Sequence, residues 1–149
     1  YNMFDIQAAL GLKQLEHLED MQHKRLRIAA RYQEAFGKCD ALDPPFVPDY
    51  TTHCWHLYVL RIVPEQLKID RDRFIEELNA RNVGTSVHFI PVTQMSYYQN
   101  RYGFKPGDFP NTDKHFDRII SLPLYPTMTD DDAQYVVDAV LDIVEKYHK

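Results

Sequence analysis

The last part of the chain carries the pattern that most constrains the fold, an apolar stripe that a folded protein has to cover. Thr129 and Asp132 ahead of it form the sequence pattern of a capping box, and carboxylates in the first turn offset the helix dipole. These residues predict an amphipathic helix that begins after Thr129 and packs on a core. Its predicted buried residues recur at i, i+3 and i+4 spacing: Ala133, Val136, Val137, Val140, Leu141 and Val144.

Strand and helix patterns alternate in the middle of the chain. Runs of aromatic and branched residues bounded by proline indicate strands, and polar caps followed by apolar periodicity indicate helices. The predicted elements are strands over residues 54–62, 85–89 and 119–122, and helices that begin after Asp70, after Ser96 and after Asn111 or Thr112. Such alternation around one core predicts the α/β (α+β) class, with a small sheet packed against helices.

The first 37 residues are predicted to form a long helix that lies partly outside that core. Asp5 is the predicted N-cap and the helical repeat ends at Gly37, which gives one helix of about 30 residues or two with a bend near Met21. We expect residues 1–37 to be a linking helix or interface arm and residues 38–149 to be a small domain. Because the chain opens on a short loop that runs straight into this helix, we expect it to be the C-terminal portion of a longer protein.

Composition limits the classes of partner. The net charge is -5 and the basic residues are scattered, so the chain lacks the concentrated positive face that nucleic-acid binding needs. No apolar run approaches the ~20 residues of a membrane span. Two cysteines are too few for a disulfide framework, which favours a reducing cytoplasm. We therefore expect neither nucleic acid nor a membrane as a partner.

Two residues are candidates for ligand contacts, and each has a structural alternative. Asn2 lies just ahead of the first helix, where its amide could reach a phosphate, although asparagine is also common there as a cap or turn residue. His88 lies at the end of the predicted strand over residues 85–89, beside Pro91. It could present its ring to a ligand or only bond the backbone. By strand alternation, His53 and His56 point to opposite faces, so no metal site is predicted.

Several motifs occur in a defined order along the chain. They are Tyr-Asn-Met-Phe-Asp-Ile-Gln-Ala-Ala-Leu-Gly at 1–11, Trp-His-Leu-Tyr at 55–58, His-Phe-x-Pro at 88–91, Tyr-Tyr at 97–98 and Ile-Ser-Leu-Pro-Leu-Tyr-Pro-x-Met-Thr at 120–129. Together they resemble the DegT/StrS-type nucleotide-sugar aminotransferases, which depend on pyridoxal phosphate (PLP). Thr93 is a departure, since many members carry a second histidine there, and contacts of that histidine do not transfer to this chain.

The resemblance implies the small C-terminal domain of a fold-type-I homodimer with shared active sites. In that family glutamate supplies the amino group and a nucleotide-linked keto-sugar receives it, in polysaccharide, lipopolysaccharide or antibiotic-sugar biosynthesis. The resemblance also implies that Asn2 contacts the PLP phosphate, commonly in the neighbouring subunit, and that His88 contacts the sugar nucleotide. The Schiff-base lysine is expected upstream, in an N-terminal PLP-binding domain absent from this chain, so no catalytic residue is assigned here.

Two further interpretations stay open, and the first comes from the lysines. A lysine that forms a Schiff base needs a desolvated pocket, and each of the eight lysines has polar or charged neighbours. The isolated chain is therefore expected to be inactive, and it could be a non-catalytic binding or dimerisation fragment. The C-terminal part also does not distinguish an aminating enzyme from a dehydratase or a regulatory member of the same family.

Overall fold

The computed structural model describes residues 2–149, so Tyr1 lies outside the described residues. Within this range the helices are α1 (Asp5–Leu15), α2 (Leu18–Phe36), α3 (Arg71–Ala80), α4 (Ser96–Tyr102), α5 (Pro110–Phe116) and α6 (Asp130–Tyr147). The strands are β1 (Leu42–Asp43), β2 (Tyr58–Ile62) and β3 (Ile119–Leu122), and a short 3₁₀ turn spans Val92–Gln94. A small sheet packed with helices confirms the predicted α+β class.

The sheet is antiparallel throughout and has the order β1-β2-β3. Along β2, Tyr58, Leu60 and Ile62 are buried and the residues between them are half-buried, as expected for a strand with one face on the core. All four residues of β3 are buried. Helices α2 and α6 pack together, and the Tyr32 ring of α2 meets the Tyr58 ring edge-on with a centroid distance of 5.0 Å. The core therefore joins the sheet to the C-terminal part of α2.

Helix α6 has the predicted start and the predicted buried face. The Thr129 hydroxyl accepts a hydrogen bond from the Asp132 N–H at 3.1 Å, and the Asp132 carboxylate accepts one from the Thr129 N–H at 3.0 Å. This reciprocal pair is a capping box, and it satisfies two backbone donors that no helical bond can reach. The predicted stripe is buried apart from the half-buried Leu141, which confirms this helix.

The N-terminal segment is two helices, and the break lies nearer the N-terminus than the predicted bend at Met21. Helix α1 ends at Leu15 and α2 begins at Leu18, with His17 at φ -104° and ψ 0° as the junction. Helix α1 buries none of its residues, whereas α2 buries its C-terminal stripe of Ile28, Ala29, Tyr32 and Phe36. The predicted division at residue 37 stays a prediction, since the second helix belongs to the core at one end only.

Two strand predictions are corrected by the structure. Residues 85–89 form no strand, because only Ser86 pairs with β3, through an isolated bridge to Ser121. The chain then leaves the sheet and Phe89 is 74% exposed, so alternation does not decide where His88 points. The strand predicted over residues 54–62 begins only at Tyr58, because Trp55 has a left-handed backbone, φ 46°, that interrupts an extended chain.

Candidate functional site

The candidate site is a cleft of about 280 Å³ beside the edge of β3. Three short segments build it: the chain before β2, the loop after α3, and the end of β3 with the residues that follow. Its polar lining residues are His56, Thr85, Ser86, His88 and Ser121, and the remaining lining is aliphatic, glycine or proline. The cleft thus brings one of the two predicted site residues, His88, together with groups that are distant in the sequence.

The His88 side chain is held against the sheet. Its Nδ1 lies 2.8 Å from the Ser121 hydroxyl oxygen, and its ring meets the Phe89 ring edge-on at 4.7 Å between centroids. His88 is half-buried. The structural alternative from the sequence, a histidine that bonds the backbone, therefore gives way to a side-chain contact with a buried serine.

The turn that carries His56 is fixed by α2. The Gln22 side-chain amide donates to the His53 carbonyl at 2.9 Å, and the Arg25 guanidinium donates to the carbonyls of Trp55 and His56 at 3.1 and 3.3 Å. Within the turn, His53 Nδ1 accepts the Trp55 N–H at 2.9 Å. The N-terminal half of α2 therefore orients one wall of the cleft, although it contributes no residue to the lining.

The polar side chains that line the cleft are hydroxyls and imidazoles. Within residues 2–149, no lysine, arginine or carboxylate side chain lines it. Hydroxyl and imidazole groups both donate and accept hydrogen bonds, as sugar hydroxyls do. An anionic phosphate would instead be expected against guanidinium, ammonium or a cluster of backbone N–H groups. The lining therefore suits a neutral polyhydroxylated group better than a phosphate.

Asn2, the second predicted site residue, lies apart from this cleft lining. It is exposed and precedes α1, where the Phe4 N–H donates to the Gln7 side chain at 3.3 Å. Four of the exposed side chains beside it on this arm are apolar: Met3, Phe4, Ile6 and Leu10. Because Asn2 lies at the foot of this exposed helix, a phosphate that it binds would lie outside the core of this chain. The assignment of Asn2 to a phosphate therefore stays a prediction.

The lysines and the acidic groups of the described residues offer no second site of these kinds. All eight lysines are exposed, so none lies in the desolvated pocket that a Schiff-base lysine needs. Across residues 2–149 no three His, Cys, Asp or Glu side chains converge into a cation site. In the same range no helix combines the length and the apolar character that crossing a bilayer requires.

The largest carboxyl pKa shift in the described chain lies away from the cleft, at the buried Glu77 of α3. The Tyr147 hydroxyl donates to Glu77 at 2.7 Å, and Arg73, Arg81 and Lys146 donate at 2.6, 2.9 and 3.2 Å. The bonds from Tyr147, Arg81 and Lys146, in decreasing order of effect, lower the pKa of Glu77 to about 2. The cluster ties α3 to the end of α6 and has a structural role.

Of the five polar residues of the cleft, sequence reasoning singled out His88 and missed His56, Thr85, Ser86 and Ser121. His56 was placed on a strand face, but the left-handed Trp55 moves it to the cleft wall. Ser121 lies within a buried strand, and the sequence does not indicate which side chain its hydroxyl contacts. The signal that could have found His56 and Ser121 is the pair of family-like motifs, Trp-His-Leu-Tyr and Ile-Ser-Leu-Pro, because each places a polar residue inside an otherwise apolar run.

Comparisons with known proteins agree on one family. The model of the DegT/DnrJ/EryC1/StrS aminotransferase family matches residues 1–141. The spore coat polysaccharide biosynthesis protein SpsC of Bacillus subtilis is 52% identical over 97% of this chain, and the match covers 37% of SpsC. This chain therefore spans little more than a third of the length of that relative.

Solved structures give the same result for the fold. Helicobacter pylori PseC, an aminotransferase involved in the biosynthesis of pseudoaminic acid, matches with a TM-score of 0.85 and 25% identity over 98% of this chain and 38% of its own. Streptococcus pneumoniae Spr1654, in its PLP form, matches with a TM-score of 0.84 and 29% identity over 97% of this chain and 36% of its own.

Proposed function

Because this chain belongs to the DegT/DnrJ/EryC1/StrS aminotransferase family, we propose that its parent protein transfers an amino group from glutamate to a nucleotide-linked keto-sugar. The observation that carries the proposal is the uncharged cleft in which His88 lies with the hydroxyls of Ser86 and Ser121. Its lining suits a sugar ring. SpsC and PseC are named for polysaccharide and pseudoaminic acid biosynthesis, which supports a sugar substrate as well.

In this proposal His88 is a substrate-binding residue. Its half-buried imidazole is held on one side by Ser121 and hydrogen-bonds the sugar on the other. Uncharged hydrogen bonds of this kind fix the orientation of a sugar more than they add affinity, because water makes similar bonds to the free sugar. The role of the cleft is thus to orient the keto carbon for the transfer.

The cofactor of this reaction is PLP, which when bound supplies the electron sink for moving an amino group. This chain contributes one residue toward it, Asn2, whose exposed amide fits a phosphate oxygen as a hydrogen-bond donor. The lysine that holds PLP is assigned to the part of the parent outside these residues, in agreement with the exposure of all eight lysines here.

The organisation of the parent follows from the same proposal. Residues 1–37 form a linking and interface arm, and residues 38–149 form a small C-terminal domain next to a larger PLP-binding domain. The parent is a homodimer whose active sites combine residues of both subunits, which gives a function to the apolar side chains that α1 leaves exposed. The free thiols of Cys39 and Cys54 favour a cytoplasmic location.

The function is tested by following the two halves of the reaction separately in the full-length protein. With PLP bound, glutamate should change the absorption of the cofactor, and a nucleotide-linked keto-sugar should reverse that change and yield an amino-sugar product by mass spectrometry. The His88→Ala variant should keep the glutamate half-reaction. Its kcat/KM for the sugar half-reaction should fall about 5- to 150-fold, the equivalent of 1–3 kcal/mol. Equal damage to both halves would contradict a substrate role.

The same experiment separates the alternatives within the family. A dehydratase would release a product that has lost water and gained no nitrogen, and a regulatory protein would bind the sugar nucleotide without turnover. Either result would replace the aminotransferase proposal.

The 149-residue chain by itself is expected to be inactive. Borohydride treatment with added PLP should leave no stoichiometric pyridoxyl adduct on any lysine, because every ammonium group is solvated. Peptide mapping of the treated chain checks this. A stable adduct at a single lysine would place the cofactor-binding lysine in this chain and overturn the assignment.

A further inference from the structure

Ser121 is connected to the His88 segment at three points. Its hydroxyl lies 2.8 Å from His88 Nδ1. Its backbone N–H donates to the Ser86 carbonyl at 2.8 Å, and its carbonyl accepts the Ser86 N–H at 3.2 Å. Ser121 is 5% exposed and lies in β3, between strand β2 and the isolated bridge. It is therefore the residue through which the sheet holds both the backbone of this segment, at Ser86, and the ring of His88.

The surroundings of the Ser121 hydroxyl decide the direction of the hydrogen bond. Among residues 2–149, His88 Nδ1 is its one hydrogen-bond partner. If Nδ1 carried the proton, the hydroxyl proton of the buried Ser121 would have no acceptor among residues 2–149, and a buried donor without a partner is costly. The less costly arrangement has the hydroxyl donating to a bare Nδ1. In the neutral ring, the proton then lies on Nε2.

We propose that Ser121 is a positioning residue for substrate binding, which fixes His88 as the Nε2–H tautomer and presents that N–H to the sugar as a donor. This inference rests on the proposed role of His88 in the sugar half of the reaction. His88 then donates to a ligand oxygen, either a hydroxyl or the keto oxygen. A ring free to adopt the other tautomer would offer an acceptor at Nε2 for part of the time, which weakens the orientation of the keto group.

The first test compares variants in the full-length protein. Ser121→Ala removes one oxygen atom and leaves both backbone bonds to Ser86 in place. We expect it to lower kcat/KM for the sugar half-reaction about 3- to 10-fold, as expected for one lost hydrogen bond, and to leave the glutamate half unchanged. Thr129→Ala, which weakens the cap of α6 away from the cleft, is the control for lost stability and should change neither half.

The second test is a double-mutant cycle with His88. In the His88→Ala background, Ser121→Ala should have no further effect on the sugar half-reaction, because the serine acts through the ring. The same loss in both backgrounds would overturn the inference. Ser121→Ala without effect, in a protein where His88→Ala is damaging, would overturn it too while leaving the proposed function intact. A harmless His88→Ala would reject the proposed role of His88 and this inference with it.

The third test observes the tautomer directly. Nitrogen-15 NMR of the histidine-labelled full-length protein, at a pH where the ring is neutral, should give a protonated Nε2 and a bare Nδ1 for His88. The resonance is assigned by its loss in His88→Ala. In Ser121→Ala we expect a mixture of the two tautomers. A protonated Nδ1 in the wild-type protein would contradict the inference whatever the kinetics show.

Discussion

Helices α1 and α6 are both rich in apolar side chains, yet they use them in opposite ways. In α6 the stripe is in the core, with Val140 and Ile143 fully buried. In α1 no residue is buried, and Ile6, Leu10 and Leu15 are 84%, 62% and 63% exposed. The polar contacts of the two helices also differ, since those of α6 join it to the domain and those of α1 are exposed. Helix α6 begins with a capping box and ends at the Glu77 cluster, whereas the ion pair of α1, Lys13 with Glu16, is exposed.

The difference shows that the apolar side chains of a helix do not by themselves indicate what covers them. Helix α6 stabilises the domain in which it lies, and α1 presents a surface that a single copy of this chain leaves uncovered. Exposed apolar groups on this scale are typical of an interaction surface.

The largest effect is expected in the buried face of α6. Ile143→Ala removes a fully buried side chain and should lower the free energy of unfolding by about 2–5 kcal/mol. Urea denaturation followed by circular dichroism measures it. A loss of less than about 0.5 kcal/mol would mean that α6 is not part of the cooperative core.

The second prediction concerns the hydrogen bonds and ion pairs at Glu77 that join α3 to α6. The pKa of Glu77 is lowered from 4.5 to about 2, so an unfolded chain binds more protons there than the folded one at pH values between these two. The stabilising contribution of Glu77 is therefore complete above about pH 4.5 and is lost as the pH falls toward 2. Thermal unfolding between pH 6 and pH 2 should show this loss.

Glu77→Gln is the matched variant for that measurement. Other carboxyl groups with lowered pKa values, such as Asp43 and Asp132, also contribute to acid unfolding. The variant keeps their contribution and removes that of Glu77, so its stability should depend less steeply on pH. Equal slopes in the two proteins would show that the Glu77 cluster does not form in solution.

A smaller effect is expected at the start of α6. Thr129→Ala removes the hydroxyl that accepts from the Asp132 N–H and should cost about 1 kcal/mol in unfolding free energy. Thr129→Ser keeps the acceptor and should restore most of the loss. If serine and alanine have the same effect, the capping box is not the reason for the stability of this end.

The smallest effect on stability is expected in α1. Leu10→Gln replaces a 62% exposed side chain by another good helix former, so the unfolding free energy of the single chain should change by less than about 0.5 kcal/mol. The same substitution in the full-length protein should weaken the proposed dimer, as measured by sedimentation equilibrium. A large loss of stability in the single chain, or an unchanged dimer, would remove the contrast between α1 and α6.

The sequence predicted most elements whose signal is local. The Asp70 cap of α3, the Thr129 cap of α6 and the short strand over residues 119–122 need only neighbours along the chain, and all three are present. Strand β1 has two residues and no recognisable run of apolar side chains, so nothing in its composition separates it from a loop. Its pairing with β2 is a tertiary contact.

The site was predicted less completely because its geometry depends on contacts that composition does not encode. His88 was found, through its motif, but the strand expected to orient it is reduced to one bridge at Ser86. The left-handed Trp55 that moves His56 into the cleft is a conformation rare for a bulky side chain. It is held by bonds from Gln22 and Arg25, which lie 30 or 31 residues away from the carbonyls they contact. Such contacts appear only after folding.

In the proposed homodimer, α1 acts outside its own chain and carries Asn2 to the active site of the partner subunit. Hybrid dimers formed from an Asn2→Ala subunit and a subunit that lacks the upstream PLP-binding lysine test this assignment. If Asn2 acts across the dimer, both lesions fall in one active site, and the other site should bind PLP with wild-type affinity and remain active. If the one remaining lysine site shows the weakened PLP affinity of Asn2→Ala, Asn2 acts within its own subunit and the claim is wrong.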